Sequence, residues 1–178
     1  ERLTAVFTQE LKQVTGLALG NAVSCAVYGP GVGTPGGVAC WGDNASGQLG
    51  LGPESPRQAN VPQRLPWFDE AHITATIAGH AGHLCAALFP GSGIPAGPVV
   101  CWGANAAGQV DAGVSGPDVY EPRIVADLDG VVWACAGLDH SCALLDVSTG
   151  PNLVCWGAND HGQLGDGVRE TGRPAVAA

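Results

Sequence analysis

The sequence predicts an all-β protein made of three similar units, each with about four short strands. Composition is the first reason: 28 Gly and 13 Pro, with only 13% charged residues, favour strands joined by turns over long helices. The second reason is a ten-residue stretch that returns at intervals of roughly 60 residues, as repeat architectures do. Its three copies are CWGDNASGQL at 40–49, CWGANAAGQV at 101–110 and CWGANDHGQL at 155–164.

Four recurrent segments make up each unit. The unit opens with a β-prone run of about six residues that predicts a buried strand, at 14–19, 73–78 and 131–136. A Cys-containing segment follows, at 19–27, 78–86 and 136–144, and leads into the Cys-Trp-Gly stretch. A segment with Pro and apolar residues lies beyond a variable loop, at 61–62, 121–125 and 173–176. We place the three units at 1–60, 61–120 and 121–178.

The variable parts of the repeat are its connections. Gly- and Pro-rich hairpin tips are predicted at 28–37, 89–98 and 146–151, and the loops at 50–60, 111–120 and 165–172 join one unit to the next. Loops on a rigid repeat scaffold are where binding usually takes place. We therefore expect function to lie in these connections.

The cysteines predict the register of a hairpin in every unit. Opposed residues of an antiparallel hairpin share a constant index sum, and the register that sets apolar residues against each other also sets Cys against Cys in all three units. Directly opposed residues have Cα atoms about 4.5 to 5.5 Å apart, a distance that a disulfide tolerates. The predicted bridges are Cys25–Cys40, Cys85–Cys101 and Cys142–Cys155; the alternative is that these are reduced core residues.

Disulfides and charge bear on location and ligands. Three bridges imply an oxidising compartment, so we expect an extracellular, periplasmic or cell-surface protein. The seven basic residues are scattered among 16 acidic ones, which argues against nucleic acid as a direct ligand. No apolar run has the roughly 18 to 20 residues of a membrane span. Cys135 is left over, and its apolar strand predicts a buried, inert thiol, an intermolecular bridge being the alternative.

The pattern AGxxHSCAL followed by VxCWGxNxxGQLGxG resembles the repeat of the regulator-of-chromosome-condensation family. The third unit is nearly a full match over 136–167, whereas the first has Val23 at the His position and the second departs at 110–113. The resemblance implies β-propeller blades of four antiparallel strands, usually seven around an axis. Three units are a partial propeller, so either further repeats or self-association would close the ring, for example two copies making six blades.

Within a propeller the repeated residues are expected to be scaffold. Side chains alternate along Cys-Trp, so the Trp should pack against one neighbouring blade and the Cys pair against the other. The Asn of each stretch suits a turn that hydrogen-bonds its own backbone. These structural residues are Trp41, Trp102, Trp156, Asn44, Asn105 and Asn159.

The sequence predicts no catalytic residue, no cofactor-binding site and no metal site. Asp139, His140 and Ser141 are consecutive on a strand, so their side chains alternate between faces and cannot form a relay. His80, His83 and Cys85 suggest zinc only if Cys85 is unbridged. We therefore predict a protein that is not an enzyme and that uses no cofactor.

Aromatic residues outside the repeat are the candidate partner-binding residues. Trp67 stands where its repeat equivalent faces solvent, and the other three lie at loop edges; they are Trp67, Tyr28, Phe89 and Tyr120. The favoured function is binding of another protein, as in a secreted bacterial β-lactamase inhibitor of the resembled family. The alternatives are nucleotide exchange with chromatin binding, as in the founding member, and a carbohydrate-binding module.

Overall fold

The computed structural model describes residues 8, 11–29, 36–68, 73–80, 82–90, 97–111, 113–128, 130–146, 152–170 and 173–177. They form three four-stranded antiparallel sheets, which confirms the predicted fold class. Each sheet is one blade, and its strands are neighbours in chain order. A single turn of 3-10 helix, Pro66–Phe68, follows the first blade. Within the described part of the chain, no helix has the length and apolar character needed to cross a bilayer.

The strand bounds of the three blades are as follows. Blade 1 comprises β1 (Val14–Leu19), β2 (Val23–Tyr28), β3 (Gly37–Asp43) and β4 (Gln58–Arg64). Blade 2 comprises β5 (Ile73–His80), β6 (His83–Pro90), β7 (Val99–Gly103) and β8 (Val119–Ile124). Blade 3 comprises β9 (Val131–Ala136), β10 (His140–Leu145), β11 (Leu153–Gly157) and β12 (Arg173–Ala177).

The sequence places the unit boundaries after residues 60 and 120. In the structure each blade ends a few residues further along the chain. The Pro-containing segment is the fourth strand of the preceding blade, because it pairs with the Cys-Trp-Gly strand: Cys40 lies opposite Gln63, and Cys101 opposite Arg123. The changeovers therefore fall between β4 and β5 and between β8 and β9. Pro62 is tolerated because β4 is an outer strand, where a missing N–H breaks no ladder.

The register of each central hairpin is the predicted one. Cys25 pairs with Cys40, and the two cysteines of the other hairpins pair in the same way. Paired residues share a face of the sheet. Each blade therefore has one face that carries the cysteines and one that carries the Trp of Cys-Trp-Gly.

The hydrophobic core lies between blades rather than within one sheet. One cluster joins the cysteine face of blade 1 to the Trp face of blade 2 and includes Phe68, Leu84 and Trp102, all fully buried. A second cluster joins the cysteine face of blade 2 to the Trp face of blade 3 and includes Cys101 and Trp156. Blades thus stack in one direction, with blades 2 and 3 each placing its Trp against the blade before it.

Two blade faces are left without a described neighbour. On blade 1, the first open face carries Leu17 and Leu19, which are 63% and 65% exposed, together with the half-buried Trp41. On blade 3, the second open face carries Trp133, Leu144 and Leu153, which are 53%, 38% and 41% exposed. The side chains equivalent to Leu17 and Trp41 are buried in blade 2, as Ile77 and Trp102.

Candidate functional site: interblade contacts and exposed loops

The loop of the Cys-Trp-Gly-x-Asn stretch is held by its Asn. The Asn44 side chain accepts from the Leu49 N–H at 2.9 Å and donates to the Pro56 carbonyl at 2.8 Å. Asn105 and Asn159 make the same pair of bonds within their own loops. All three are buried. Each Asn thus bonds to a carbonyl 9 or 12 residues further along the chain, a wider span than the local turn expected from the sequence.

The Gln of the same loop connects neighbouring blades. The backbone carbonyl of Gln48 accepts the indole N–H of Trp102 at 2.8 Å, and the carbonyl of Gln109 accepts that of Trp156 at 2.9 Å. Both indoles are fully buried, so each would otherwise carry an unpaired donor. The Trp residues therefore pack against the preceding blade and also hydrogen-bond to its loop.

The Gly after Trp is required by a close backbone approach. At Gly103 φ is +103°, and a Cβ there would collide with the backbone of Gly82 and His83 in the neighbouring turn. Gly42 and Gly157 have the same geometry. This contact places the Trp-bearing end of β7 beside the turn before β6.

One hydrogen-bonded group is special to the interface between blades 2 and 3. Ser141 Oγ donates to the Gln109 carbonyl at 2.9 Å, so its oxygen is left to accept the Nε2–H of His83, also at 2.9 Å. Burial, reinforced by the nearby His140 and His80, lowers the pKa of His83 to about 4. His83 is therefore neutral near pH 7, and its Nδ1 atom is buried with no hydrogen-bond partner in the described structure.

A His and a Ser in contact invite a catalytic interpretation, which the geometry rules out. Both side chains are fully buried, so no substrate can reach them. His83 donates to the serine oxygen and cannot take its proton, which is already used at Gln109. Ser141 contacts His83 rather than its sequence neighbour His140, whose pKa is lowered mainly by burial. The pair is a structural contact between blades.

The predicted disulfides are all present and remove the zinc interpretation. Cys25–Cys40, Cys85–Cys101 and Cys142–Cys155 each join directly paired residues with Cα atoms 4.1 Å apart. Cys85 is thus unable to act as a thiolate ligand beside His80 and His83. Among the described residues, no three His, Cys, Asp or Glu side chains are grouped so as to hold a metal ion.

Cys135 differs from its prediction as a buried thiol. It is exposed, because it pairs with Cys142 and so shares the second open face with the cysteines of blade 3. The sequence alignment sets it with Ala18 and Ile77; the strand pairing keeps Ala18, which lies opposite Cys25, but replaces Ile77 by Ala78, which lies opposite Cys85. A slip of one residue along a strand moves a side chain to the other face of the sheet.

The four candidate binding aromatics do not form one surface. Trp67 is 37% exposed and packs its ring edge-on against Phe68, with ring centroids 5.0 Å apart. Tyr28 lies at the end of β2. The last residue of β4 lies at the same end of blade 1, and Trp67 follows shortly after it. Phe89 occupies the corresponding end of β6, but its side chain lies outside the described residues.

Tyr120 lies at the opposite end of its blade. It stands at the start of β8, and its ring contacts Gly47 of the blade 1 loop, where a Cβ would meet it at 2.9 Å. Its carbonyl accepts the N–H of Gly52 at 2.9 Å. Tyr120 therefore helps to join blades 1 and 2, and of the candidates with described side chains Trp67 is the most exposed.

These blades and their interblade contacts define a propeller-type repeat module. Residues 35–87 match the family model described as Regulator of chromosome condensation (RCC1) repeat. The fold resembles that of RCC1-like propellers: human WBSCR16 superposes with a TM-score of 0.71 at 23% identity, over 93% of this chain and 41% of that one. Prp20p from Saccharomyces cerevisiae superposes with a TM-score of 0.73 at 19% identity, over 94% of this chain and 39% of that one.

Curated proteins with similar sequence are much longer than this chain. A mouse secretion-regulating guanine nucleotide exchange factor is 36% identical over 137 residues, which cover 72% of this chain and 27% of that protein. The human probable E3 ubiquitin-protein ligase HERC4 is 32% identical over 130 residues, which cover 72% of this chain and 11% of the ligase. The chain thus matches only a small part of these relatives.

Proposed function

We propose that this chain is a non-enzymatic propeller module that binds another protein through loops that do not repeat. The observation that carries the proposal is the contrast between two sets of residues. The repeated polar side chains, such as Asn105 and Gln109, are buried and used within the scaffold. Trp67, an aromatic residue that the repeat lacks, remains exposed beside the buried Phe68. An exposed Trp on a rigid support is typical of a protein-binding hot spot.

Protein partners of structural neighbours support the same class of function. The yeast neighbour Prp20p binds Gsp1p and histones, and yeast RCC1 (Prp20) has been seen bound to Kap60. We further propose a secreted or surface location, in the periplasm or outside the cell, and a bacterial source like that of the β-lactamase inhibitor. The three disulfides support an oxidising compartment.

The binding test uses defined probes and two variants. Purified histones, Gsp1p and a serine β-lactamase would be titrated against the chain by interferometry. Trp67→Ala should weaken any binding at least about tenfold, whereas Ile124→Ala, at an exposed position on the outer strand β8, should leave it unchanged. Binding that depends on Ile124 and not on Trp67 would contradict the loop assignment.

We also propose that a second copy of the chain covers the open faces. The first open face presents Trp41, and the blade 3 loop has Gln163 in the place of Gln48 and Gln109, with the same side-chain bond to its loop. Trp41 of one copy would then donate to the Gln163 carbonyl of the other, as Trp102 does to Gln48. Two copies joined in this way give a six-blade ring with a two-fold axis.

Native mass spectrometry tests the second-copy proposal. The chain should have twice its monomer mass, and Leu144→Lys on the second open face should reduce it to the monomer. The matched control is Val114→Lys, because Val114 is 63% exposed in a blade 2 loop away from both open faces. A wild-type monomer at tens of micromolar would show that two copies do not close a ring.

A second candidate function is guanine-nucleotide exchange. The observation that favours it is the 36% identity to the secretion-regulating exchange factor. Release of a fluorescent GDP from Gsp1p, followed with and without the chain, distinguishes the two candidates. A rate well above the spontaneous one would favour exchange over simple binding.

A further inference from the structure

Three cysteines form a row across three neighbouring strands of blade 3. Cys142 on β10 lies directly opposite Cys155 on β11, to which it is bridged, and directly opposite Cys135 on β9. Paired residues share a face, so all three side chains lie on the second open face. Blades 1 and 2 have no such row, because Ala18 and Ala78 stand where blade 3 has Cys135.

The backbone hydrogen bonds and the strand register indicate how far Cys135 lies from Cys142. Gly137 donates to the His140 carbonyl at 2.8 Å, so that pair is hydrogen-bonded, and hydrogen-bonded pairs recur every second residue. Cys135 and Cys142 are two residues further along the same ladder and form a pair of this kind. Such pairs have Cα atoms about 5.5 Å apart, near the commonest separation for a disulfide.

The free sulfur is fixed on this face. The indole N–H of Trp133 donates to Cys135 Sγ, with the nitrogen 3.1 Å from the sulfur. Cys155 lies two strands away, roughly 10 Å from Cys135, and is 3% exposed. The central Cys142 is therefore the sulfur that Cys135 can reach.

We propose that blade 3 is an intramolecular thiol–disulfide exchange site in which Cys142 alternates between Cys155 and Cys135. Cys135 gives its proton to water, and its thiolate attacks Cys142 Sγ. A Cys135–Cys142 bond forms as the Cys142–Cys155 bond breaks, and the electron pair leaves on Cys155 Sγ, which takes up a proton. One disulfide and one thiol are present before and after, so the step requires no oxidant.

The exchange would move the cross-link from one hairpin to another. In the structure the bridge joins β10 to β11, and after exchange it would join β10 to β9. The proposal depends only on the cysteines of blade 3 and is independent of the proposed binding function.

The direct test locates the free thiol by alkylation. The folded chain would be held at pH 8, quenched in acid, denatured, alkylated and mapped as peptides without reduction. We expect two populations, one labelled at Cys135 and one at Cys155, with the second formed faster at pH 8 than at pH 6 because only the thiolate attacks. Labelling at Cys135 alone after a day would overturn the proposal.

Two further variants test whether Cys135 can bridge to Cys142 and whether the labelling arises from exchange rather than from unfolding. Cys155→Ala removes one end of the row, and under a glutathione redox buffer the folded variant should bridge Cys135 to Cys142; two persistent free thiols would refute the geometry. Cys135→Ala should abolish labelling at Cys155. Label appearing in the other two bridges at the same rate would assign the reaction to global unfolding and overturn the proposal; those bridges are Cys25–Cys40 and Cys85–Cys101.

Discussion

The indole nitrogen of Trp102 in blade 2 lies 2.8 Å from the backbone oxygen of Gln48 in blade 1, and both groups are buried. The contact recurs between Trp156 and Gln109 in the next pair of blades. Each blade is thus joined to the preceding one by a directional bond as well as by apolar packing. A directional hydrogen bond fixes the position of one sheet on the next. Apolar contact alone defines that position less sharply.

Trp102→Phe should destabilise the chain by about 2 to 4 kcal/mol. The substitution removes the donor to Gln48, leaves a buried carbonyl without that partner, and opens a cavity beside Phe68, whose ring centroid is 5.8 Å from that of Trp102. Urea denaturation followed by fluorescence measures the loss of unfolding free energy.

Trp41→Phe is the matched control for this substitution. Trp41 has the same place in its repeat but lies half-buried on the first open face. Measured at protein concentrations low enough to keep the chain monomeric, its replacement should cost under about 1 kcal/mol, because less apolar surface leaves water there on folding. Equal losses for the two variants would show that the interblade bond contributes little.

The sequence alone determines much of the blade and little of the contact between blades. Opposed cysteines predict the hairpin register, since the side-chain period of a strand is two and one slip would invert every face. The contact of His83 with Ser141 could not be found in this way, because it joins residues 58 apart on different sheets. The contact does not recur between blades 1 and 2. Blade 1 has Val23 at the position of His83, and blade 2 has Leu84 at the position of Ser141.

The error over Cys135 has a specific cause. Its equivalent in blade 1 is Ala18, which pairs with Cys25 and is buried because blade 2 covers the cysteine face of blade 1. Cys135 lies on the same face of blade 3, which has no described neighbour, and is exposed. The sequence thus predicts a buried position within the repeat but does not show which blade face is left uncovered.

Asn105→Ala should cost about 2 to 3 kcal/mol and loosen the loop that it ties together. The buried side chain bonds to the Val110 N–H at 3.1 Å and the Val114 carbonyl at 3.2 Å, and both groups lose their partner. Hydrogen exchange at Val110 should increase by at least tenfold. Unchanged exchange there would show that the loop is held by other contacts; Asn105→Asp, which keeps the acceptor, should protect that amide better than Ala.

The Cys142–Cys155 bridge should be the first to be reduced in the folded chain. Cys142 is partly exposed on the second open face, whereas both cysteines of each other bridge are fully buried between blades. In the monomeric chain, kept so by low protein concentration, timed alkylation in dilute dithiothreitol should show this bridge opening at least about tenfold faster than Cys85–Cys101. Reduction of all three bridges at one rate would mean that thiol attack waits for global unfolding.

The chain should lose stability as the pH falls from about 6.5 to about 4, and His83 should account for part of the loss. Its folded-state pKa, about 4, is below the ordinary value of 6.5, so in this range the unfolded chain binds a proton that the folded chain does not. The free energy of unfolding therefore rises with pH across this window, by on the order of 3 kcal/mol from this group. Urea titrations at several pH values measure the slope.

His83→Val isolates this contribution from the carboxylates that titrate in the same range. Val stands at the equivalent position of blade 1, as Val23, where it is buried, so the substitution suits the fold. Ser141 keeps its bond to the Gln109 carbonyl, and the unpartnered Nδ1 atom is removed. The variant should show a shallower dependence of stability on pH between 4 and 6.5 than the wild type. If the two curves stay parallel, His83 is protonated in the folded chain at a pH close to its ordinary value, and its burial costs far less than the geometry implies.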